Sequence, residues 1–499
     1  MSRIAGMAGA GRNKIGAWTE GMTHSMALRQ MPCRGWGDAS FLGLLMDEVE
    51  QATGALRYED LLPWVEEVGR GKVVGARRAS GGNRCVGWSV DVRQDDGRIL
   101  PLFLRYQAFE DGSGGPYTVG REAEIYAALG GSGVQIPRLI ARHPHHQAML
   151  TERAAGDAAY RALTDGQVKD HLARQAIRAL LQLHRVDASK LDMPQFGGHR
   201  TIRAAARAEM EIWCDMYRAT GRDDPLIEFG RLWLENNLPA FDGPAVLVHG
   251  DAGPGNFMFD DGELTRLIDW ELSHLGDPME DLAWFSLRSV LEPVPDFPAC
   301  VREYEIASGE PVGLDRVRYH RAFVSWRICI IRHCNASGQA GASVISRALN
   351  RRLLMEAIDA AEGHGSKTVQ PVDTSPREYD RMFAQVLDDI RTVILPGCTD
   401  KAAILKAKDA AKALKFMRQL YNVGDEIERR EIAALAELLG EAPDSLAAGR
   451  SALAASIRAR SVDVGRALDF FRMSAAFETQ LASHTMGALA TRHFPPLTH

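Results

Sequence analysis

Residues 246–271 read VLVHGDAGPGNFMFDDGELTRLIDWE, and the local grammar of this stretch decides the reading of the whole chain. An apolar run ends at Val248. A loop rich in Gly and Pro follows, and the pair NFMF and LTRLI flanks the turn residues Asp260, Asp261 and Gly262. Two short β-prone runs around such a turn predict a hairpin. The hairpin folds the chain back, so Asp269 returns to the edge of the loop that displays Asp251 and Asn256.

Four residues separate Asp251 from Asn256, and twelve separate Asn256 from Asp269. Phosphoryl transfer asks little covalent help of a protein. It needs a carboxylate to orient the attacking hydroxyl and oxygen ligands to hold Mg²⁺ against the phosphates. Asp251 suits the first role, and Asn256 with Asp269 the second.

Working outward, the sequence from about Gly71 to Gln107 alternates β-branched and aromatic residues between turn signals, which predicts a small antiparallel sheet. The segment REAEIYAALG at 121–130 predicts a helix behind it. Apolar positions at threes and fours predict helices over about 164–184 and 202–238, and again to about 362. The expected fold class is α+β. It has two lobes, an N-lobe of antiparallel sheet plus helix at 46–155 and a mostly helical C-lobe at 156–363 carrying the catalytic loop. The stretch 364–377, HGSKTVQPVDTSPR, reads as a linker. Beyond it, stripes at Met382, Phe383, Val386, Leu387, Ile390, Val393 and Ile394 and at Leu414, Met417, Leu420 and Tyr421 predict an all-helical bundle over 378–499, suited to self-association as well as packing. Residues 1–45 read as a disordered extension rather than a targeting segment.

Composition limits the partners. With 59 Lys and Arg against 65 Asp and Glu, the formal net charge is −6, which supplies no basic field for nucleic acid. Seven cysteines scattered without CxxC pairs fit neither a disulfide framework nor a zinc ribbon, and point to the cytoplasm. The longest apolar stretches, Phe41 to Met46 and the run around Ile328 to Ile331, fall short of the roughly 18 residues that span a bilayer.

HGDxxxxN followed by IDWE, after a strand-rich region, closely resembles the aminoglycoside phosphotransferase and choline kinase superfamily over about residues 60 to 360. The resemblance implies a protein-kinase-like fold, ATP and Mg²⁺ as cofactors, and a small-molecule hydroxyl as acceptor. It implies Asp251 as catalytic base, Asn256 and Asp269 as metal ligands, and His249 as the brace of the loop. Asp277 reads as a helix N-cap, with Glu280 completing a capping box. Asp281 reads as a buttress of the catalytic loop, and His184 as a buried structural histidine.

For the nucleotide, the resemblance implies Ser80, Gly81, Gly82 and Asn83 as a phosphate-covering turn, and backbone around Thr151 to Arg153 as the adenine-binding hinge. At the end of the third strand, where the family carries a lysine for the phosphates, this chain offers Arg105, with Glu122 as its helix partner and Glu124 as the competing candidate. The string IDWELSHLGDPMEDLAW is most similar to the branch associated with acyl-CoA dehydrogenases, which implies a hydroxyacyl-CoA acceptor. The alternatives are an aminoglycoside-type antibiotic kinase and, because of Arg105, a pseudokinase scaffold acting through its C-terminal helices.

Overall fold

The computed structural model describes residues 55–79, 85–109, 115–198, 201–334, 341–363, 369–373 and 375–499. The expected turn Ser80 to Asn83 and the extension 1–45 lie outside the described residues, as does most of the first half of the expected linker. A helix α1 (Tyr58–Gly69) precedes the strands β1 (Gly71–Arg78), β2 (Cys85–Gln94) and β3 (Ile99–Gln107), followed by α2 (Val119–Ala128), β4 (Leu139–Arg142) and β5 (Ala148–Glu152). The five strands form one antiparallel sheet in the order β1-β2-β3-β5-β4. Leu102, Leu104 and Tyr106 alternate along β3 into a core shared with Val90, Val92 and the α1 residues Leu61 and Val65. This two-residue period fixes the other face of β3, and with it Arg105, toward the second lobe.

The second lobe contains α3 (Gly166–His184), α4 (Ile202–Arg218), α5 (Pro225–Asn236), the short strands β6 (Val246–Val248), β7 (Phe257–Asp260), β8 (Glu263–Leu267) and β9 (His274–Gly276), then α6 (Pro278–Leu291), α7 (Phe297–Ser308), α8 (Leu314–Cys334) and α9 (Gly341–Ala361). The helix expected across 202–238 is two helices. Gly221 turns the chain at φ +63°, and Asp224 caps α5 through the Leu226 amide, with Pro225 at its first turn. β7 and β8 form the expected hairpin, with Phe257 opposite Leu267. β6 pairs with β9, a strand the sequence did not announce, because HLG is too short to carry a period.

After residue 379 come α10 (Asp380–Asp389), which continues through a π turn at Ile390–Ile394, and then α11 (Lys401–Leu439), α12 (Leu446–Arg458) and α13 (Val464–Met486). These helices do not stand apart behind a linker. Leu435, Leu453, Ile457, Leu468 and Phe471 belong to the same continuous core as Phe229 of α5 and Phe323 of α8. The Phe229 and Phe471 rings lie 4.9 Å apart. The Gly- and Pro-rich stretch punctuates the chain without separating the cores. The expected α10 stripe is only partly used, since Ile390 is buried while Met382, Val386 and Val393 are exposed. Among the described residues no helix is long and apolar enough to cross a membrane.

The α5 to α8 contact is tight enough to test. Gly230 sits against Trp326, and a Cβ there would meet Trp326 Cδ1 at 2.5 Å. The indole is fully buried and donates to the Ile227 carbonyl at 2.8 Å, so it cannot swing away. Replacing a mid-helix glycine by alanine ordinarily gains up to about 1 kcal/mol in helix propensity. Overpacking of a rigid ring costs about 1–3 kcal/mol, so Gly230→Ala is expected to be net destabilising, read as a lower denaturant midpoint in chemical unfolding.

Candidate active site

The loop between β6 and β7 is held from below by one carboxylate. Asp281, in the first turn of α6, accepts the His249 amide at Oδ2 (2.8 Å) and the Gly250 amide at Oδ1 (2.9 Å). His184 of α3 lies 2.9 Å from the same carboxylate and pairs with the Tyr304 hydroxyl on its other nitrogen. Burial pushes the Asp281 carboxyl up, but His184 and the side chain and amide of His249 outweigh it and hold the group below the ordinary aspartate value. Gly250 is required here. Its φ is +77°, and a Cβ would meet the Leu272 carbonyl oxygen at 2.1 Å.

His249 braces the loop crosswise. Its Nε2 lies 2.9 Å from the Ile268 carbonyl and its Nδ1 is 3.3 Å from the Asp251 amide. A carbonyl only accepts, so Nε2 carries the proton and Nδ1 accepts. The ring also packs on Trp270, with centroids 4.7 Å apart.

Asp251 and Asn256 meet directly. Asn256 Nδ2 donates to both the Asp251 carbonyl and Oδ2, each at 2.8 Å. Asp251 is fully buried, and a residue absent from the sequence reading, Arg288 of α6, grips its carboxylate with Nε donating to Oδ1 at 2.8 Å and Nη2 to Oδ2. Arg288 Nη1 donates to the Pro254 carbonyl at 3.0 Å, so one guanidinium holds both the loop and the carboxylate. Burial pushes the Asp251 carboxyl up, Arg288 pulls it back, and the charge of Asp269 adds to the rise. The signal for Arg288 was its position seven residues after Asp281, two turns along one helix face.

Asp269 stands at the return of the hairpin with φ +66°, a backbone region that non-glycine residues seldom occupy. Arg105 of β3 reaches it across the lobes. Its Nη2 lies 2.8 Å from Asp269 Oδ1 and 2.9 Å from Glu271 Oε2, while Nε lies 2.9 Å from Glu122 Oε2. Glu122 is therefore the helix partner of Arg105, and Glu124 turns instead to Gln195. Three carboxylates share one guanidinium. Glu122 is the most deeply buried, and desolvation pushes its carboxyl up to about 8, Arg105 opposing and Asp269 and Glu271 reinforcing the rise.

The expected hinge lies at the end of β5. Thr151 lies inside the sheet, opposite Phe103 of β3 and Leu139 of β4. The Glu152 and Arg153 amides donate to the Arg138 and Pro101 carbonyls at 2.9 and 3.2 Å, and the Arg153 guanidinium pairs with Asp91. These amides are satisfied within the protein.

Below the loop, Asp277 caps α6 through the Met279 amide at 2.9 Å. Glu280 does not complete a capping box. Its carboxylate turns inward to Arg327 and to His274, 3.3 Å away, and Arg327 also faces Glu209 of α4 at 3.5 Å. Tyr117 and Trp213 donate to Glu209. This buried network joins α4, α6 and α8, and desolvated charges of this kind persist only when mutually paired.

Because Glu122 holds its proton up to about pH 8 in the folded chain but only to about 4.5 when unfolded, the folded state binds more protons between those values. Its contribution to stability is fully present below about pH 4.5 and is lost as pH rises through 8. Wild type is expected to lose unfolding temperature relative to Glu122→Gln between pH 6 and 9, as followed by scanning calorimetry.

Residues 94–320, from the end of β2 into α8, match the model of the phosphotransferase enzyme family. The chain is similar to acyl-CoA dehydrogenase family member 11 of Homo sapiens, 34% identical over 115 residues that cover 22% of this chain and 14% of that protein. It is similar to acyl-CoA dehydrogenase family member 10 of Mus musculus, 27% identical over 187 residues covering 35% of this chain and 17% of that one. The chain thus spans under a fifth of the length of these curated relatives. Among solved structures it is similar to a thermostable mutant of aminoglycoside phosphotransferase APH(4)-Ia in ternary complex with ADP and hygromycin B. That match has 18% identity and a TM-score of 0.45, covering 61% of this chain and 98% of that one.

Proposed function

Given that residues 94–320 are a domain of the phosphotransferase enzyme family, we propose that the chain is an ATP-dependent kinase. It would pass the γ-phosphoryl group to a hydroxyl of a small molecule, with hydroxyacyl-CoA as the acceptor class. The observation that carries the reading is the direct contact of Asn256 with the Asp251 carboxylate, on the loop to which the hairpin returns Asp269. In the reaction the acceptor oxygen forms a bond to phosphorus, the bond from phosphorus to the β,γ-bridging oxygen breaks, and ADP leaves with that electron pair. Asp251 accepts the hydroxyl proton, and its raised affinity for protons suits a general base. Arg288 keeps the carboxylate oriented toward the incoming hydroxyl.

The donor set fits Mg²⁺. Asn256 spends its Nδ2 on Asp251, which leaves the amide oxygen as a ligand, and Asp269 meets Arg105 through Oδ1, which leaves Oδ2. One carboxylate and one amide oxygen beside a nucleotide match the few protein ligands this cation takes. When bound, the ion supplies charge neutralisation along the phosphates. Arg105, anchored by Glu122 through Nε, keeps its cationic guanidinium against Asp269, where its charge would face the nucleotide phosphates. The acyl-CoA acceptor is supported by the names of the curated relatives, both acyl-CoA dehydrogenase family members.

MgATP is expected to raise the unfolding temperature of wild type and not that of Asp269→Ala, while Asp251→Asn keeps the shift. On a panel of hydroxyacyl-CoAs, with aminoglycosides as controls, Asp251→Asn is expected to lose at least about 100-fold in turnover. Unchanged turnover removes Asp251 from the role of base. Turnover of aminoglycosides alone replaces the acceptor, and no response to MgATP overturns the kinase reading itself.

A further inference from the structure

A cavity of about 400 Å³ lies where the second lobe meets the last helices, walled by the start of α5, the end of α8, α9 and faces of α12 and α13. None of its lining residues belongs to the catalytic loop or to the Arg105 cluster. Its charge does not balance. The carboxylates Asp223, Asp224 and Glu478 line it, and each already has a cationic partner. Asp224 takes Arg351 at 2.6 Å, Glu478 takes Arg351 at 3.2 Å and Arg347 at 3.6 Å, and Asp223 takes Arg458 at 2.8 Å. Arg450 reaches Glu431 at 2.6 Å, and Arg222 donates to the His333 carbonyl.

Arg332 is left over. Among the described residues its guanidinium makes no hydrogen bond or ion pair, and its Nε is closed off from solvent. Burial pushes it down to about 10, with the buried Cys329 thiol opposing the fall, and it still carries its charge at neutral pH. An anion beside the guanidinium would offset this desolvation and give the enclosed Nε side of the group a partner. The volume exceeds that of a bare ion and matches small-molecule sites, and Asn350 and Ser451 add polar groups to the wall.

We propose that this cavity binds a phosphate-bearing small molecule, its phosphate oxygens taking the Arg332 fork and its body bridging α8 and α9 to α12. Phosphate suits the site better than a lone carboxylate because Arg222 and Arg347 line the same cavity as Arg332 and add positive charge for its further oxygens. The ligand would fasten the last helices to the lobe that carries the catalytic loop, which makes the cavity a second, non-catalytic site.

The test is thermal unfolding of the full chain, without magnesium, titrated with inorganic phosphate and with pyrophosphate. Wild type is expected to show a saturable rise of about 2–4 °C. Arg332→Gln is expected to lose the rise while keeping its response to MgATP, and Asp269→Ala to keep the rise. Ser451→Glu, which places a carboxylate at an exposed point of the wall, is expected to lose it as well and guards against a folding defect in Arg332→Gln. The proposal is overturned by an absent rise in wild type, by an equal rise in both Arg332→Gln and Ser451→Glu, or by loss of the rise in Asp269→Ala, which would return the anion to the candidate active site.

Discussion

The loop between β6 and β7 that displays Asp251 exists as a defined shape because one buried carboxylate, Asp281, takes two of its amides. The loop between β6 and β7 is too rich in Gly and Pro to hold itself, and its first turn requires a positive φ at Gly250. Without a partner, the His249 and Gly250 N–H groups would be orphaned in the core at a cost of about 1–3 kcal/mol each. Asp281 sits on a helix, so the loop inherits the rigidity of α6. Arg288, on the same helix, then orients Asp251, and the two contacts fix both ends of the segment that carries Asp251 and Asn256.

Arg105 does for the lobes what Asp281 does for the loop. A lysine ammonium is a compact point charge, whereas the guanidinium spans Glu122 on one side and Asp269 with Glu271 on the other. The substitution thus has a structural logic in this chain. Three carboxylates about one cation leave a surplus of negative charge, and the elevated proton affinity of Glu122 is where that surplus shows.

Much of this was legible in the sequence where the signal is local. The hairpin after Asn256, the alternation that turns Arg105 away from the sheet core, and the cap at Asp277 each rest on a few neighbouring residues. Arg288 was missed because a lone arginine on an apolar helix reads as surface until its partner is known. Glu280 was misread because a capping box and a buried ion pair demand the same residue at the same spacing, and only the far side of the pair, Arg327, tells them apart. The C-terminal helices were legible as helices, but their packing against the second lobe was not, because polar, Gly- and Pro-rich sequence marks a bend in the chain and carries no information about what packs across it.

The shared core has an anchor at its far end. Arg352 of α9 donates to the Leu489, Ala490 and Arg492 carbonyls, Arg492 donates to the Val290 and Leu291 carbonyls that end α6, and Arg321 holds the Pro495 carbonyl. The helix that carries Asp281 and Arg288 is thus capped by residues more than two hundred positions later in the chain. During synthesis the five-stranded sheet can form as soon as it leaves the ribosome. The loop that displays Asp251 precedes that cap by more than two hundred residues and must wait for it before its foundation is complete.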